Sequence, residues 1–341
     1  MRPLLVRSLH RLWRDQSTLQ LGLHAPQAVV VTNVNAETRA LIGQLNGRHT
    51  LAELLAGLRE RGQDPATLTN LLALLETAGA LHDGEPETDF PASLPSEERR
   101  RLAPDLAALS LYRANAAQTL ANRAQRSVLV AADGRFGASF ATLMAASGIG
   151  RVQVWSRSIV TAQDLSPGGL TANDVGRSYV NAAHDAITRA APHAATHLSG
   201  TPDLLVLARP DRPTPAHRWT RRAPHMLINI SEGQATIGPL MMSGITACLT
   251  CIDRHRSDRD PDWPVIAAQL ATEPEHAEAA QLSTVSAAVA LATNQALQFI
   301  DNGTTTIVGG SLELSDAASG TSHRRWSPHP RCDCGAHQNQ Q

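Results

Sequence analysis

The stretch at 126–156, "RSVLVAADGRFGASFATLMAASGIGRVQVWS", decides the fold. A β-branched run, "RSVLVA", enters a glycine turn. A helix pattern over "GASFATLMAASG" follows, and then a second strand, "RVQVWS". Strand, turn, helix and strand in this order make a βαβ unit, and the turn is where a helix N-terminus receives phosphate groups. The turn departs from G-x-G-x-x-G at its first position. Ala132 stands there, Gly134 and Gly137 are kept, and Asp133 and Arg135 lie between them.

Outward from this unit, "DLLVLA" and "HMLINI" read as further strands. "TVSAAVALATNQALQFID" is a long helix closed by Asn302-Gly303, and "TTTIVGG" and "SLELS" return to strand. Such alternation predicts an α/β fold, a Rossmann-like, mainly parallel sheet with helices on both faces. Ahead of it, residues 1–84 read as a small α+β unit of winged-helix type. "TLQLGL" and "AVVVTN" are short strands. Asn35 caps a helix closed at Asn46-Gly47, Thr50 and Glu53 form a capping box, and Asp64-Pro65 opens a third helix that stops at Gly79. Residues 85–100, with three prolines and many charges, read as a linker. Residues 101–335 form the second domain and 336–341 a polar tail.

Composition narrows the chemistry. The 341 residues are enough for two domains, and a formal net charge of −1 gives no global pull toward nucleic acid or membrane. No run approaches the 18 or so apolar residues of a membrane span. "MRPLLVRSLHRLWR" lacks the apolar stretch of a secretory signal, so a cytoplasmic location is expected. There is no lysine, which rules out Schiff-base catalysis and a P-loop lysine. Aromatic residues, at 3%, are too few for stacking platforms on single-stranded nucleic acid.

A winged helix often reads DNA, but from Leu21 to Gly84 four arginines face six acids, and phosphate would be repelled. The other use of such a unit is to capture an extended peptide on an open strand edge. The strand at Val29 and Val31, with the helix face of Leu68, Leu72 and Leu75, is the candidate groove, although each of these residues also reads as core.

The four cysteines form two close pairs, Cys248-x2-Cys251 and Cys332-x-Cys334. Tetrahedral zinc takes four thiolates offered on two tight turns, so structural Zn2+ is the expected ligand. A redox pair or free buried thiols are the alternatives. His255 and His329 lie close enough to substitute for a ligand and read otherwise as loop residues.

Taken together, "VLVAADGRFGASFATLMAASGIGRVQVWSRSIV", "NDVGRSYVNAAHDAITRAAP", "GPLMMSGITACLTCI" and "HPRCDCG" resemble the ThiF-type, ubiquitin-activating-enzyme-like family. With the small domain in front, the chain is similar to the family's leader-peptide-binding branch. That branch carries a PqqD-like recognition domain and accompanies a YcaO-type cyclodehydratase. The resemblance implies peptide binding, a structural zinc and a possible homodimer. In adenylating members it implies ATP with magnesium and activation of a carboxylate. Here the acid that holds the ribose is replaced by Ser156, and the segment carrying a phosphate-binding arginine is replaced by "QDLSPGG". The lysine of "DVG-x-x-K" becomes Tyr179, and the magnesium acid could only be Asp211. Adenylyl transfer needs positive charge where negative charge develops, so these losses point to a degenerate nucleotide site around Gly134, Gly137, Ser156 and Tyr179, with ATP and magnesium not expected. The expected protein is a non-adenylating partner that presents a precursor peptide to another enzyme, with the charged stretch 253–264 as a docking loop. A divergent adenylyltransferase and a transcription regulator are the alternatives.

Overall fold

The computed structural model describes residues 1–6, 8–24, 28–84, 94–208, 220–272, 279–317 and 320–336. By density of contacts the chain divides into two units, Met1–Ala121 and Asn122–Gln341.

The first unit opens with β1 (Pro3–Leu5), β2 (Arg11–Trp13), β3 (Leu19–Leu21) and β4 (Val29–Val31). Three helices follow, α1 (Ala36–Gln44), α2 (Leu51–Glu60) and α3 (Pro65–Thr77), and then β5 (Leu81–Asp83). Local capping chemistry sets the helix starts. The side chain of Asn35 accepts from the Thr38 N–H at 2.8 Å, and Asp64 does the same for Ala66 at 2.9 Å. Thr50 and Glu53 close both bonds of the capping box. Gly47, Gly62 and Gly79 take the left-handed φ that ends each helix. An antiparallel sheet in the order β2-β3-β4 lies beside a β1-β5 pair. Its core joins Leu19, Leu21, Val29 and Val31 to Leu58, Leu68, Leu72 and Leu75.

Two further helices, α4 (Ser96–Arg101) and α5 (Ala103–Leu109), belong to this first unit, although the sequence placed a boundary at 101. The Ser110 hydroxyl meets that of Ser8 at 2.6 Å, its carbonyl meets His82 Nε2 at 3.0 Å, and Leu111 packs on the first core. Of the expected linker, residues 85–93 lie outside the described residues; 96–100 lie in α4. The tail beyond 336 also lies outside them. Helix α6 (Ala116–Arg123) crosses the division.

The second unit holds β6 (Ser127–Ala131), α7 (Gly134–Ala146), β7 (Arg151–Val154), α8 (Tyr179–Ala190), β8 (Leu204–Ala208), β9 (His225–Ser231) and β10 (Gln234–Met241). It continues with α9 (Leu249–Arg259), α10 (Trp263–Thr272), α11 (Leu282–Asn302), β11 (Gly310–Ser315) and β12 (Thr321–Arg325). One seven-stranded sheet runs β12-β11-β10-β9-β8-β6-β7. Its β7-β6-β8-β9 portion is parallel, and β10 to β12 extend it antiparallel. The strand period of two sends Val128 and Val130 to one face, with α7, α8 and α11. Leu129 and Ala131 go to the other, with Ile252 of α9. This is the expected Rossmann-like α/β architecture.

Three local expectations change. "TTTIVGG" is a turn rather than a strand. The Thr306 hydroxyl bonds Gln295 Oε1 of α11 at 2.8 Å, and Ile307 gives its carbonyl to Leu240 N–H, so these residues are consumed before a ladder forms. Strand β10 was missed. It returns from β9 through Glu232 and Gly233, both at positive φ, the two-residue hairpin turn for which Asn-Gly is the usual signal. The stretch 253–264 is no loop. It is the body of α9 and the turn into α10, with Trp263 Nε1 donating to Asp253 Oδ1 at 3.2 Å.

Within the second unit, Arg123 and Asp301 form a buried two-point ion pair, at 2.9 and 2.7 Å, and a third Arg123 nitrogen donates to the Ser147 carbonyl at 3.1 Å. Asp301→Ala strands that guanidinium away from water. It should cost about 3–5 kcal/mol, read as a fall in the urea midpoint. A loss under about 1 kcal/mol would mean that water replaces the carboxylate.

Candidate functional site

The glycine turn is built by close approach. Strand β6 ends buried at Ala131, and Asp133 is extended at the N-cap position of α7 without capping it. Gly134 then takes a φ of +66° to begin α7. At Gly137 a Cβ would lie 2.5 Å from the Ala132 carbonyl oxygen and 2.9 Å from the Tyr179 hydroxyl, so only glycine fits.

Tyr179, the first residue of α8, is wholly buried. Its hydroxyl donates to the Gly134 carbonyl at 2.7 Å and accepts from the Ala138 N–H at 2.8 Å. A phenol is thus inserted between the Gly134 carbonyl and the Ala138 N–H, two groups that an undisturbed helix bonds to each other. At the rim, Ser156 faces a carboxylate instead of supplying one. Asp133 Oδ2 accepts from Ser158 Oγ at 2.6 Å and from Ser156 Oγ at 3.4 Å. Arg135 reaches the Ala280 carbonyl at 2.8 Å.

The segment 163–169 lies on the first turns of α7. Ser166 Oγ donates to the Arg135 carbonyl at 3.0 Å and meets Ser139 Oγ at 2.6 Å, and a Cβ on Gly169 would fall 2.6 Å from the Ser139 oxygen. The "DVG" segment is a structural lock. Buried Asp174 accepts from the N–H and hydroxyl of Thr171, each at 2.9 Å, and from Arg177 at 2.7 Å. The Thr171 N–H foremost holds its carboxyl below the usual range. Asp211 lies outside the described residues.

The four cysteines, far apart in sequence, come together. Cys248 and Cys251 sit at the start of α9, and Cys332 and Cys334 on the segment after β12. Their sulfurs lie within 4.8 Å of one another, at 3.8 Å for Cys248–Cys251 and 3.6 Å for both Cys248–Cys332 and Cys251–Cys334. Zn–S bonds of about 2.3 Å in a tetrahedron put sulfurs about 3.8 Å apart, so the set fits that ion. With thiols alone, burial pushes Cys332 up to about 12 and raises Cys248. Burial raises Cys251 as well, but hydrogen bonds to the backbone at His329 and Cys248 bring it below the usual thiol value.

A second group, His255, Asp258 and His329, lies beside the first. His329 Nε2 meets Asp258 at 2.8 Å while its Nδ1 accepts from the Arg331 N–H at 3.1 Å. His255 Nε2 meets the Ser327 carbonyl at 3.0 Å. These histidines hold the chain that carries Cys332 and Cys334; they do not replace a ligand.

In the first unit, Val29, Val31, Leu68, Leu72 and Leu75 are all buried in its core. The large apolar side chains that those elements expose are Val30 and Leu74. β4 is an edge strand of its sheet. Among the described residues no helix is long and apolar enough to cross a membrane.

No protein-family model and no curated protein matches the chain. Solved structures do match it. E. coli MccB with ATP superposes with a TM-score of 0.69 at 15% identity, over 98% of this chain and 99% of that one. The microcin C7 biosynthetic enzyme MccB in complex with N-formylated MccA gives 0.69 at 15%, over 98% and 100%. PaaA gives 0.63 at 17%, over 94% and 99%. The chain therefore has the ThiF-type fold of these proteins along nearly its whole length.

Tyr179→Phe removes the hydroxyl shared by Gly134 and Ala138. It should destabilise the protein by about 1–2 kcal/mol in urea denaturation. A neutral result would mean that the helix bond between those two groups suffices.

Proposed function

We propose that the protein captures an extended segment of a ribosomally made precursor peptide and presents it to a separate modifying enzyme, a YcaO-type cyclodehydratase, without adenylating anything itself. One observation carries the reading: the buried Tyr179 hydroxyl fills the first turn of α7, and no cation stands in its place. Adenylyl transfer depends on preorganised positive charge at the phosphates, worth orders of magnitude in rate. Asp133 adds a negative charge at the same turn.

Peptide capture is supported by the N-terminal unit, which we read as a PqqD-like winged helix with β4 as an open edge, and by the complex of MccB with N-formylated MccA, a protein of the same fold. On this reading the peptide pairs with β4 and meets Val30 and Leu74, while Val29, Val31, Leu68, Leu72 and Leu75 form the floor beneath. The protein works in the cytoplasm, as a homodimer formed through the ThiF-like unit, and contacts neither nucleic acid nor membrane. Zinc on Cys248, Cys251, Cys332 and Cys334 is structural, tying the C-terminal segment to α9. A divergent adenylyltransferase is the second reading, because MccB of the same fold has been solved with ATP.

Calorimetric titration with ATP and magnesium, with pyrophosphate exchange in parallel, decides between them. Silence in both is expected. Exchange would establish the adenylyltransferase and overturn the reading of Tyr179. For the metal, the purified protein should carry about one zinc per chain, lost in Cys332→Ser/Cys334→Ser together with a lower Tm. A wild-type protein free of metal and equally stable would retire the zinc.

A further inference from the structure

The first unit has a second open sheet edge that capture on β4 leaves unused. β2 lies at the opposite rim of the β2-β3-β4 sheet. The Arg14 N–H bonds the Thr18 carbonyl at 2.9 Å and the Gly22 N–H bonds the His10 carbonyl at 2.8 Å. In an antiparallel ladder the bonded pairs alternate, so His10, Leu12 and Arg14 turn their backbone toward β3. Arg11 and Trp13 therefore turn their N–H and C=O groups outward, and all three residues of β2 are exposed. By the same alternation, β4 offers only Val30 on its outer side.

The side chains at this edge share one chemistry. The Arg39 guanidinium lies over the Trp13 ring at 3.9 Å and donates to the Gln16 carbonyl at 3.2 Å. Arg14 donates to Gln20 Oε1 at 2.9 Å. Among the described residues, none of Arg11, Arg14 and Arg39 pairs with a carboxylate. Asp15, in the same depression, accepts from the N–H and hydroxyl of Ser17, at 2.7 and 3.0 Å. Trp13, Asp15, Gln16 and Arg39 line an open depression of about 580 Å3. An edge strand with free backbone groups and an exposed tryptophan is a pairing template, which proteins ordinarily cover or blunt.

We propose that β2 docks an extended acidic peptide segment. Its backbone pairs with Arg11 and Trp13, and the carboxylates on the face those two side chains share meet Arg11 and Arg39. The outward N–H and C=O groups favour a strand over a polyanion such as nucleic acid, which offers no matching backbone. The proposal takes from the capture reading only that this unit binds extended peptide, and it assigns a different edge and a charge preference.

The test uses the full-length protein and fluorescence anisotropy with labelled (Asp-Leu)4 and (Asn-Leu)4 peptides at low salt. The acidic peptide should bind about tenfold more tightly, a preference that salt weakens and that Arg11→Gln/Arg39→Gln removes. Trp13→Pro, which deletes one outward N–H, should abolish binding, while Val30→Pro should leave it intact. Should the proline at Trp13 disturb folding, the paired arginine substitutions carry the decision. Loss of binding in Val30→Pro alone would return the peptide to β4 and overturn the β2 assignment while keeping peptide capture. Equal affinity for the two peptides, no binding of either, or equal competition by an oligothymidylate would also overturn it.

Discussion

The second unit is organised around the contact of α7 with the strand that feeds it. Gly137 lets the helix come so close to the Ala132 carbonyl that a single methyl group would collide with it, and that closeness leaves room for one buried hydroxyl, that of Tyr179. The glycines at two positions of a G-x-G-x-x-G turn, Gly134 and Gly137, are kept, with Asp133 and Arg135 beside them. A cation at this turn would need an anion to justify its desolvation. A phenol satisfies both the Gly134 carbonyl and the Ala138 N–H, which an ammonium, having no acceptor, could not do. Serine hydroxyls on Asp133 and the 163–169 segment packed on α7 complete a crevice that bonds to itself.

The cysteine cluster is the second constraint. It brings the residues after β12 back to the start of α9, with Arg331, His329 and Asp258 bracing the same segment by hydrogen bonds and an ion pair. Both ring nitrogens of His329 and both carboxylate oxygens of Asp258 are taken by neighbours. This is why the histidines are better explained as support for the thiols than as ligands. Zinc on all four thiolates would tie these distant segments together.

In the first unit the core and the surface have divided the same elements. Strand and helix residues chosen for their apolar character went inside, as the strand period requires, and what faces outward is decided by register. The arginines at β2 and α1 lie on the rim of that sheet with a tryptophan between them. The net acidity of residues 21–84, which argues against DNA, says nothing about this local edge.

What the sequence by itself determined was local: the βαβ unit at 126–156, the three capped helices after Asn35, Thr50 and Asp64, and the pairing of the cysteines, because each is set by period, cap or spacing within a few residues. The replacements at Ser156 and Tyr179 were also legible. Tertiary structure alone decided what those residues do. That Tyr179 bridges Gly134 and Ala138, that Asp133 turns to Ser158, and that "TTTIVGG" gives its groups to Gln295 and Leu240 all depend on partners dozens of residues away or more, or across a turn whose signal is weak. The same holds for the candidate groove, where apolar character alone does not separate a ligand's floor from a core. Only the hydrogen-bond register, fixed by which strand lies beside which, shows which backbone groups are left for a partner.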